Sequence, residues 1–150
     1  MKSFNVAFTF LTFFGVNFCA PASAADWHTD YDSALTIATK EDKMLLLDFT
    51  GSDWCGWCIR LKKDIFSQSE FEKFAKDHLV LFEVDFPHHA SQVPALISQN
   101  QKLSRQFGVR GFPTLILLDQ KGEEISRKVG YIAGGPDAFI QWVKNATNQK

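Results

Sequence analysis

Two cysteines separated by two residues are the part of this 150-residue sequence best suited to chemistry. Cys55 and Cys58 lie in the pentapeptide Trp54-Cys55-Gly56-Trp57-Cys58. On the first turn of a helix, this spacing places both sulfurs on one face, close enough to form a disulfide. The partial positive charge of the helix N-terminus stabilises a thiolate that attacks other disulfides near neutral pH. We therefore predict that Cys55 is the nucleophile and that Cys58 resolves the mixed disulfide.

Two other roles are open for the same cysteine pair. A structural zinc site normally takes four Cys or His ligands, and the sequence has no second Cys pair to supply them. The remaining candidate ligands are the four histidines, His28, His78, His88 and His89. A purely structural disulfide would close so small a loop that it would stabilise the fold little. We therefore favour redox chemistry and expect no metal.

The composition argues against several other classes of protein. Lys and Arg number 16 against 17 Asp and Glu, and the formal net charge is −1. The basic surplus that nucleic-acid binding requires is missing, so we expect no nucleic-acid partner. The sequence also has no glycine-rich nucleotide loop, so we expect no cofactor and a supply of electrons from another dithiol protein.

The first 24 residues predict export. Lys2 is followed by an uncharged apolar run, and Ala22-Ser23-Ala24 is a small-x-small triplet typical of signal-peptide cleavage. The run is shorter than the roughly 20 apolar residues that a membrane span needs. We therefore assign residues 1–24, with Cys19, to a signal peptide and residues 25–150 to one domain. Export would place the remaining two cysteines in an oxidising compartment, which we expect to be a bacterial periplasm.

The hydrophobic pattern predicts the elements that hold the dithiol. Short apolar runs are typical of strands buried on both faces, and apolar residues three or four apart are typical of helices. The predicted elements are a helix within 26–43, a strand at 44–50, a helix from Cys55, a helix opened by a capping box at Ser67-Gln68-Ser69-Glu70, a strand at 79–85, a helix at 95–107, a strand at 114–118, an edge strand at 124–129 and a last helix from Gly134. This order predicts an α/β fold with a central mixed sheet flanked by helices.

The same residues resemble the thioredoxin superfamily over positions 26–145. The resemblance is carried by Leu46-Leu47-Asp48-Phe49, the redox pentapeptide and Gly108-Val109-Arg110-Gly111-Phe112-Pro113-Thr114-Leu115. Thr50-Gly51-Ser52-Asp53-Trp54-Cys55 and the exported N-terminal helix look most like the DsbH-type periplasmic thioredoxin-like reductases. The resemblance implies a thioredoxin-like fold with an extra N-terminal helix and a lengthened connector before the cis-proline strand.

The resemblance also implies an activity and partners. It implies a reductase that acts on disulfides of exported proteins and is itself reduced by a membrane DsbD-like electron donor. Because the two cysteines form a single motif and no dimerisation segment is visible, we expect a monomer. A disulfide oxidase or isomerase, and a non-catalytic thioredoxin-like binding domain with an inert disulfide, are the alternatives.

Three further site residues are implied by position. Phe112 and Pro113 match the family's cis-proline dipeptide, which packs against the redox pair and hydrogen-bonds an incoming polypeptide. Asp48 matches the family's buried carboxylate, which relays a proton to or from Cys58. A physical argument also applies to Asp48, because an acid in an apolar strand has a raised pKa and suits acid–base chemistry. This sequence departs from the family by one extra residue before Cys55 and by lacking, within 79–85, the lysine often found opposite the acid.

The residues around the cysteines bear on substrate and direction. Trp54 and Trp57 predict a hydrophobic rim suited to polypeptide disulfides, although core packing is an equal alternative for Trp54. Gly56 and Trp57 bring no charge that would stabilise a thiolate, and Asp53 would disfavour one, so we predict a reducing couple. The connector at 87–94, with His88 and His89, is either a partner-binding feature or a solvated spacer, and we favour the spacer.

Overall fold

Five strands form one mixed sheet in the order β1-β3-β2-β4-β5. The computed structural model describes residues 26–148, so the predicted signal peptide and Cys19 lie outside the described residues. The strands are β1 (Trp27–His28), β2 (Met44–Thr50), β3 (Leu79–Asp85), β4 (Thr114–Leu118) and β5 (Glu124–Val129). β1, β3 and β2 run parallel to one another, whereas β4 pairs antiparallel with both β2 and β5. The predicted mixed sheet is confirmed.

Helices cover both faces of this sheet. They are α1 (Tyr31–Glu41), α2 (Gly56–Leu61) with a π-helical segment (Lys62–Phe66) after it, α3 (Ser69–His78), α4 (Pro94–Gln106) and α5 (Gly135–Thr147). Within residues 26–148, none of these helices combines the length and the apolar character needed to cross a membrane.

The N-terminal helix begins later than predicted. Trp27 and His28 form a short edge strand beside β3 instead of a first helical turn. The helix starts only at Tyr31, after Asp30, whose side chain accepts a hydrogen bond from the Ser33 N–H at 2.8 Å. Such an N-cap satisfies a backbone donor that the first turn leaves unpaired, and it fixes the start of the helix. α1 is therefore the crossover between two parallel strands.

The predicted capping box at the start of α3 is wrong. The N-cap of α3 is Gln68, and it makes no side-chain capping bond. The cause is the preceding π-helical segment, which ends with the Ser67 N–H donating to the Lys62 carbonyl at 2.9 Å. Because Ser67 closes the earlier helix, it is not available to open the next one.

The two faces of the sheet bury separate clusters. Successive side chains of a strand point to opposite faces, and six of the seven residues of β2 are buried. Leu46 packs with Leu61 and Ile65 on the face covered by α2, the π-helical segment, α3 and α5. Leu45, Leu47 and Phe49 pack on the other face with residues of α1 and the end of α4. By this alternation, Asp48 lies on the same face as Leu46 and therefore beneath α2.

Candidate active site around the Cys55–Cys58 disulfide

The redox pair lies where predicted, at the N-terminus of a helix just beyond a strand. Cys55 is the N-cap of α2, and it forms a disulfide with Cys58. The Cys58 N–H donates to the Cys55 sulfur at 3.2 Å. Cys55 is 7% exposed and Cys58 is 4% exposed. The helix N-terminus is thus directed at the Cys55 sulfur, which is the arrangement that stabilises a thiolate there after reduction.

Trp54 lies between the redox pair and the connector that follows β3. Its indole stacks on His88 with ring centroids 4.4 Å apart, meets Phe112 edge-on at 5.9 Å, and donates from Nε1 to the Phe86 carbonyl at 2.8 Å. A Cβ on Gly51 would approach the indole to 2.5 Å, so only glycine leaves room for this ring. Trp54 is 40% exposed. The ring is therefore packed against the connector and partly exposed, and its role as a contact surface for substrates stays a prediction.

Asp53 fastens the connector to residues 51–55, the segment between β2 and α2 that we call the redox loop. Its carboxylate accepts hydrogen bonds from the N–H groups of His88 at 2.9 Å, His89 at 2.7 Å and Ala90 at 3.1 Å. The bond from His88, followed by those from His89 and Ala90, lowers the pKa of Asp53 to about 2. Both histidines are exposed, as in a spacer, but the connector is bound to the redox loop rather than free in solvent. The effect of Asp53 on the redox couple stays a prediction.

The Phe112–Pro113 peptide lies at the same end of the sheet. It is cis, and Pro113 is buried. The Pro113 carbonyl accepts from the Gly130 N–H at 2.8 Å, immediately before β4 begins. Because Thr114 is paired with Phe49 near the end of β2, the dipeptide lies at the sheet end from which the loop to Cys55 departs.

Trp57 is surrounded by residues that the sequence analysis missed. It is 57% exposed, as its position between the cysteines predicts. The Arg60 guanidinium lies 5.7 Å from the Trp57 ring and 5.0 Å from the Tyr131 ring. Asp64 accepts from the Tyr131 hydroxyl at 2.7 Å and from Arg60 Nε at 3.1 Å. The four-residue spacing of Arg60 and Asp64 is a visible helical signal, but Tyr131 comes from a distant part of the chain.

Asp48 is buried beneath the redox helix. It is 6% exposed, and its Oδ1 has no hydrogen-bond partner. Burial, and next the negative charge of Glu83, raise the pKa of Asp48 to about 8. At neutral pH the side chain is therefore mainly the neutral acid, and it can either donate a proton or, once ionised, accept one.

The lysine that β3 lacks has a counterpart on another element. Glu83 occupies the position beside Asp48 in the register of β2 and β3. Lys62, four residues after Cys58, carries the positive charge that opposes the rise in the pKa of both acids. The signal for Glu83 was present in the sequence, since Asp48 and Glu83 are each the fifth residue of a seven-residue strand. Among residues 26–148, no group of three or more His, Cys, Asp or Glu side chains is arranged to hold a metal ion.

Comparisons with known proteins agree with this geometry. The sequence profile of the thioredoxin-like domain matches residues 31–147. The disulfide bond reductase DsbH of Chlamydia pneumoniae is 41% identical over 128 residues, which is 84% of this chain and 76% of that protein. The thiol:disulfide interchange protein DsbD of Actinobacillus pleuropneumoniae is 28% identical over 110 residues, which is 71% of this chain and 17% of DsbD. A solved structure of a DsbH oxidoreductase matches with a TM-score of 0.78 and 35% identity, covering 99% of this chain and 96% of that one.

We predict that Asp53→Ala releases the connector and lowers stability in a pH-dependent way. The pKa of Asp53, about 2 in the folded protein, lies below the ordinary aspartate value of 3.8. Its contribution is therefore fully present above about pH 4 and disappears as the pH falls toward 2. Urea unfolding of the wild type and the variant from pH 2 to 7 measures this difference.

Asp77→Ala is the matched control, because Asp77 is an exposed acid on α3 and the charge change is the same. In the Asp53 variant, amide hydrogen exchange at His88, His89 and Ala90 should accelerate, whereas the control should leave it unchanged. Unaltered protection at these three amides in Asp53→Ala would contradict the role given to this carboxylate.

Proposed function

The chain belongs to the thioredoxin-like family, and from this membership we propose that it is an exported thiol–disulfide oxidoreductase that reduces disulfides in other proteins. The observation that carries the proposal is the Cys55–Cys58 disulfide at the N-terminus of α2, with a buried acid on the sheet face below it. The similarity to the DsbH disulfide bond reductase supports the same activity.

The reduced protein would act through two exchanges. The Cys55 thiolate attacks a substrate disulfide, so a Cys55–substrate bond forms, the substrate disulfide breaks, and one substrate sulfur leaves as a thiolate. Cys58 then loses its proton to the Asp48 carboxylate and attacks the Cys55 sulfur. The Cys55–Cys58 disulfide forms and the second substrate sulfur leaves, taking up a proton. Two electrons pass from the protein dithiol to the substrate, which ends as a dithiol.

Asp48 donates a proton, rather than accepting one, when an electron donor reduces the Cys55–Cys58 disulfide again. A donor thiolate attacks the Cys55–Cys58 disulfide, and Cys58 departs as a thiolate in a site where it is only 4% exposed. An unsolvated thiolate is costly there. Because the pKa of Asp48 is about 8 in the disulfide form, the acid holds a proton at neutral pH and donates it to Cys58.

We propose reduction as the direction of exchange. A strong oxidant depends on charged or polar groups that stabilise its thiolate. Gly56 has open space where a side chain would stand, and Trp57 is uncharged. The nearest cation on α2, Arg60, is engaged by Asp64 and by the Tyr131 ring. Apart from the N-terminus of α2, the residues of this helix add little stabilisation to the Cys55 thiolate, which favours a reducing couple.

The surface beside Cys55 suits an extended polypeptide. Trp54, Phe86 and Phe112 line a groove of ≈ 300 Å³ next to the redox loop. The cis Phe112–Pro113 peptide lies at the same sheet end, and we propose that its backbone pairs with the substrate chain while Trp54 and Trp57 contact apolar substrate side chains. A larger cavity of ≈ 460 Å³ is lined by the amino end of β3, at the opposite end of the sheet, and takes no part in this proposal.

The remaining parts of the proposal concern location and partners. The sequence of residues 1–24 supports export to a periplasm. A membrane protein of the DsbD type is the proposed electron donor, since a segment of DsbD is similar to this chain and dithiol exchange requires no bound cofactor. The substrates are disulfide-containing exported proteins, and the protein acts as a monomer.

Replacing the resolving cysteine tests the catalytic role. In Cys58→Ala, the Cys55 thiolate still attacks a substrate disulfide, but no internal thiol releases the product. We expect mixed disulfides with an oxidised, disulfide-bonded protein such as native insulin to accumulate, visible as higher-mass bands that dithiothreitol removes. Cys55→Ala is the control and should trap much less. Equal or absent trapping in both variants would favour a non-catalytic binding domain.

Asp48→Asn should make the protein more stable and less active. A carboxyl whose pKa rises from 3.8 to about 8 on folding destabilises the native state increasingly between those pH values. Asparagine removes this penalty, so we expect the variant to gain a few kcal/mol of unfolding free energy at pH 8 and little at pH 4. Reduction of its disulfide by a dithiol should slow by about 100-fold or more at pH 7. Loss of stability at pH 8, or unchanged rates, would contradict the proton-transfer role.

A further inference from the structure

Two acids on paired positions of β2 and β3 lie on the sheet face beneath α2, and a lysine at the end of α2 acts on both through its charge. Asp48 and Glu83 are direct neighbours in the parallel pairing of β2 with β3. Paired residues of adjacent strands present their side chains to the same face of the sheet. That face is the one covered by α2 and the π-helical segment, because Leu46 and Leu81 pack there with Leu61. Glu83 is therefore the residue beside Asp48 on the redox side of the sheet.

The two acids differ in their access to water. Asp48 is buried, whereas Glu83 is partly exposed. Two carboxylates this close in a poorly solvated site are not both ionised readily, and the better-solvated group ionises first. Glu83 is that group, and its charge acts on the inner carboxyl.

Lys62 supplies the opposing charge. It is the exposed first residue of the π-helical segment, and its N–H bonds to the Cys58 carbonyl, which ties its position to that of the resolving cysteine. Lys62 lowers the pKa of Asp48 and that of Glu83, against the rise caused mainly by burial.

We propose that Glu83 and Lys62 are positioning residues for the proton transfer of Asp48, Glu83 favouring the protonated carboxyl and Lys62 favouring the carboxylate. The proposal rests on the proposed function, in which Asp48 exchanges a proton with Cys58. Together the two residues adjust, in opposite directions, the pH at which Asp48 changes from proton donor to proton acceptor, which burial raises most. The resemblance to the family leads us to expect a lysine on β3 opposite the buried acid. In this chain the lysine is Lys62, which directly follows α2, and β3 contributes Glu83 instead.

The other groups around Asp48 leave this assignment intact. Asp85, two residues beyond Glu83, also raises the pKa of Asp48, as the weakest of the four contributions. Its carboxylate accepts hydrogen bonds from the Ser52 N–H at 2.9 Å and the Ser52 hydroxyl at 2.6 Å, so the Asp85 side chain is directed at the redox loop. β4, on the other side of β2, contributes no ionisable side chain. The two cysteines do not titrate while they form a disulfide.

The test is a direct titration of Asp48 in the oxidised protein. Carbon-13 chemical shifts of the side-chain carboxyl give the titration midpoint without any assay of activity. In Glu83→Gln the midpoint should fall, and in Lys62→Met it should rise, each by at least about half a pH unit. Lys63→Met is the matched control, because Lys63 is a neighbouring exposed lysine that acts on Asp64 instead. The control should leave the midpoint unchanged.

Opposite shifts in the two variants support the proposal, since general damage to packing would not change sign with the charge removed. Unchanged midpoints, or shifts in one direction for both variants, overturn it. Lys62 is exposed, so Lys62→Met provides the result even where Glu83→Gln does not fold.

The pH profile of disulfide reduction by a dithiol should move in the same direction as each midpoint. If the midpoints shift in opposite directions but the protein does not reduce protein disulfides, the roles of Glu83 and Lys62 are supported and the proposed function is refuted. If the protein reduces protein disulfides but the midpoints do not move, the roles of Glu83 and Lys62 are refuted and the proposed function is not.

Discussion

The buried carboxyl of Asp48 is the constraint around which this structure is arranged. One of its oxygens has no hydrogen-bond partner in the described part of the chain, and a polar atom left so is unfavourable. The apolar side chains packed on both faces of β2 stabilise the fold and offset this unfavourable buried oxygen. The same burial that costs stability holds the proton at neutral pH, so in the proposed mechanism one side chain both destabilises the fold and stores the proton.

A second set of interactions keeps the nucleophile accessible to large substrates. Gly51 leaves space for the Trp54 indole, and His88 covers one face of that ring. Asp53 fastens the connector that carries His88 by three backbone hydrogen bonds. Trp54 is thereby fixed while remaining partly exposed. The apolar surface beside Cys55 is thus built before a substrate arrives, which reduces the entropy lost on binding.

The sequence was informative where the signal is local. The Cys-x-x-Cys spacing, the apolar run of β2 and the acid within it are each readable over a few residues, and they predicted the redox helix, its strand and the burial of Asp48. Glu83 has the same place in an equally apolar strand, but its meaning depends on the pairing of two strands. Tyr131 contacts Asp64 from the loop between β5 and α5, 67 residues away in the sequence, so no local pattern reveals it. The predicted capping box was wrong because Ser67 already closes the π-helical segment. The strand β1 was not predicted because two residues are too few to show an alternating hydrophobic pattern.

The central claim is that the Cys55–Cys58 couple is reducing, and its redox potential is the most direct test. Equilibrating the protein with glutathione buffers of graded ratio, and counting free thiols after acid trapping, gives that potential. We predict a value near or below about −270 mV, the range of thioredoxin. A value near about −120 mV, the range of the strong oxidant DsbA, would contradict the account.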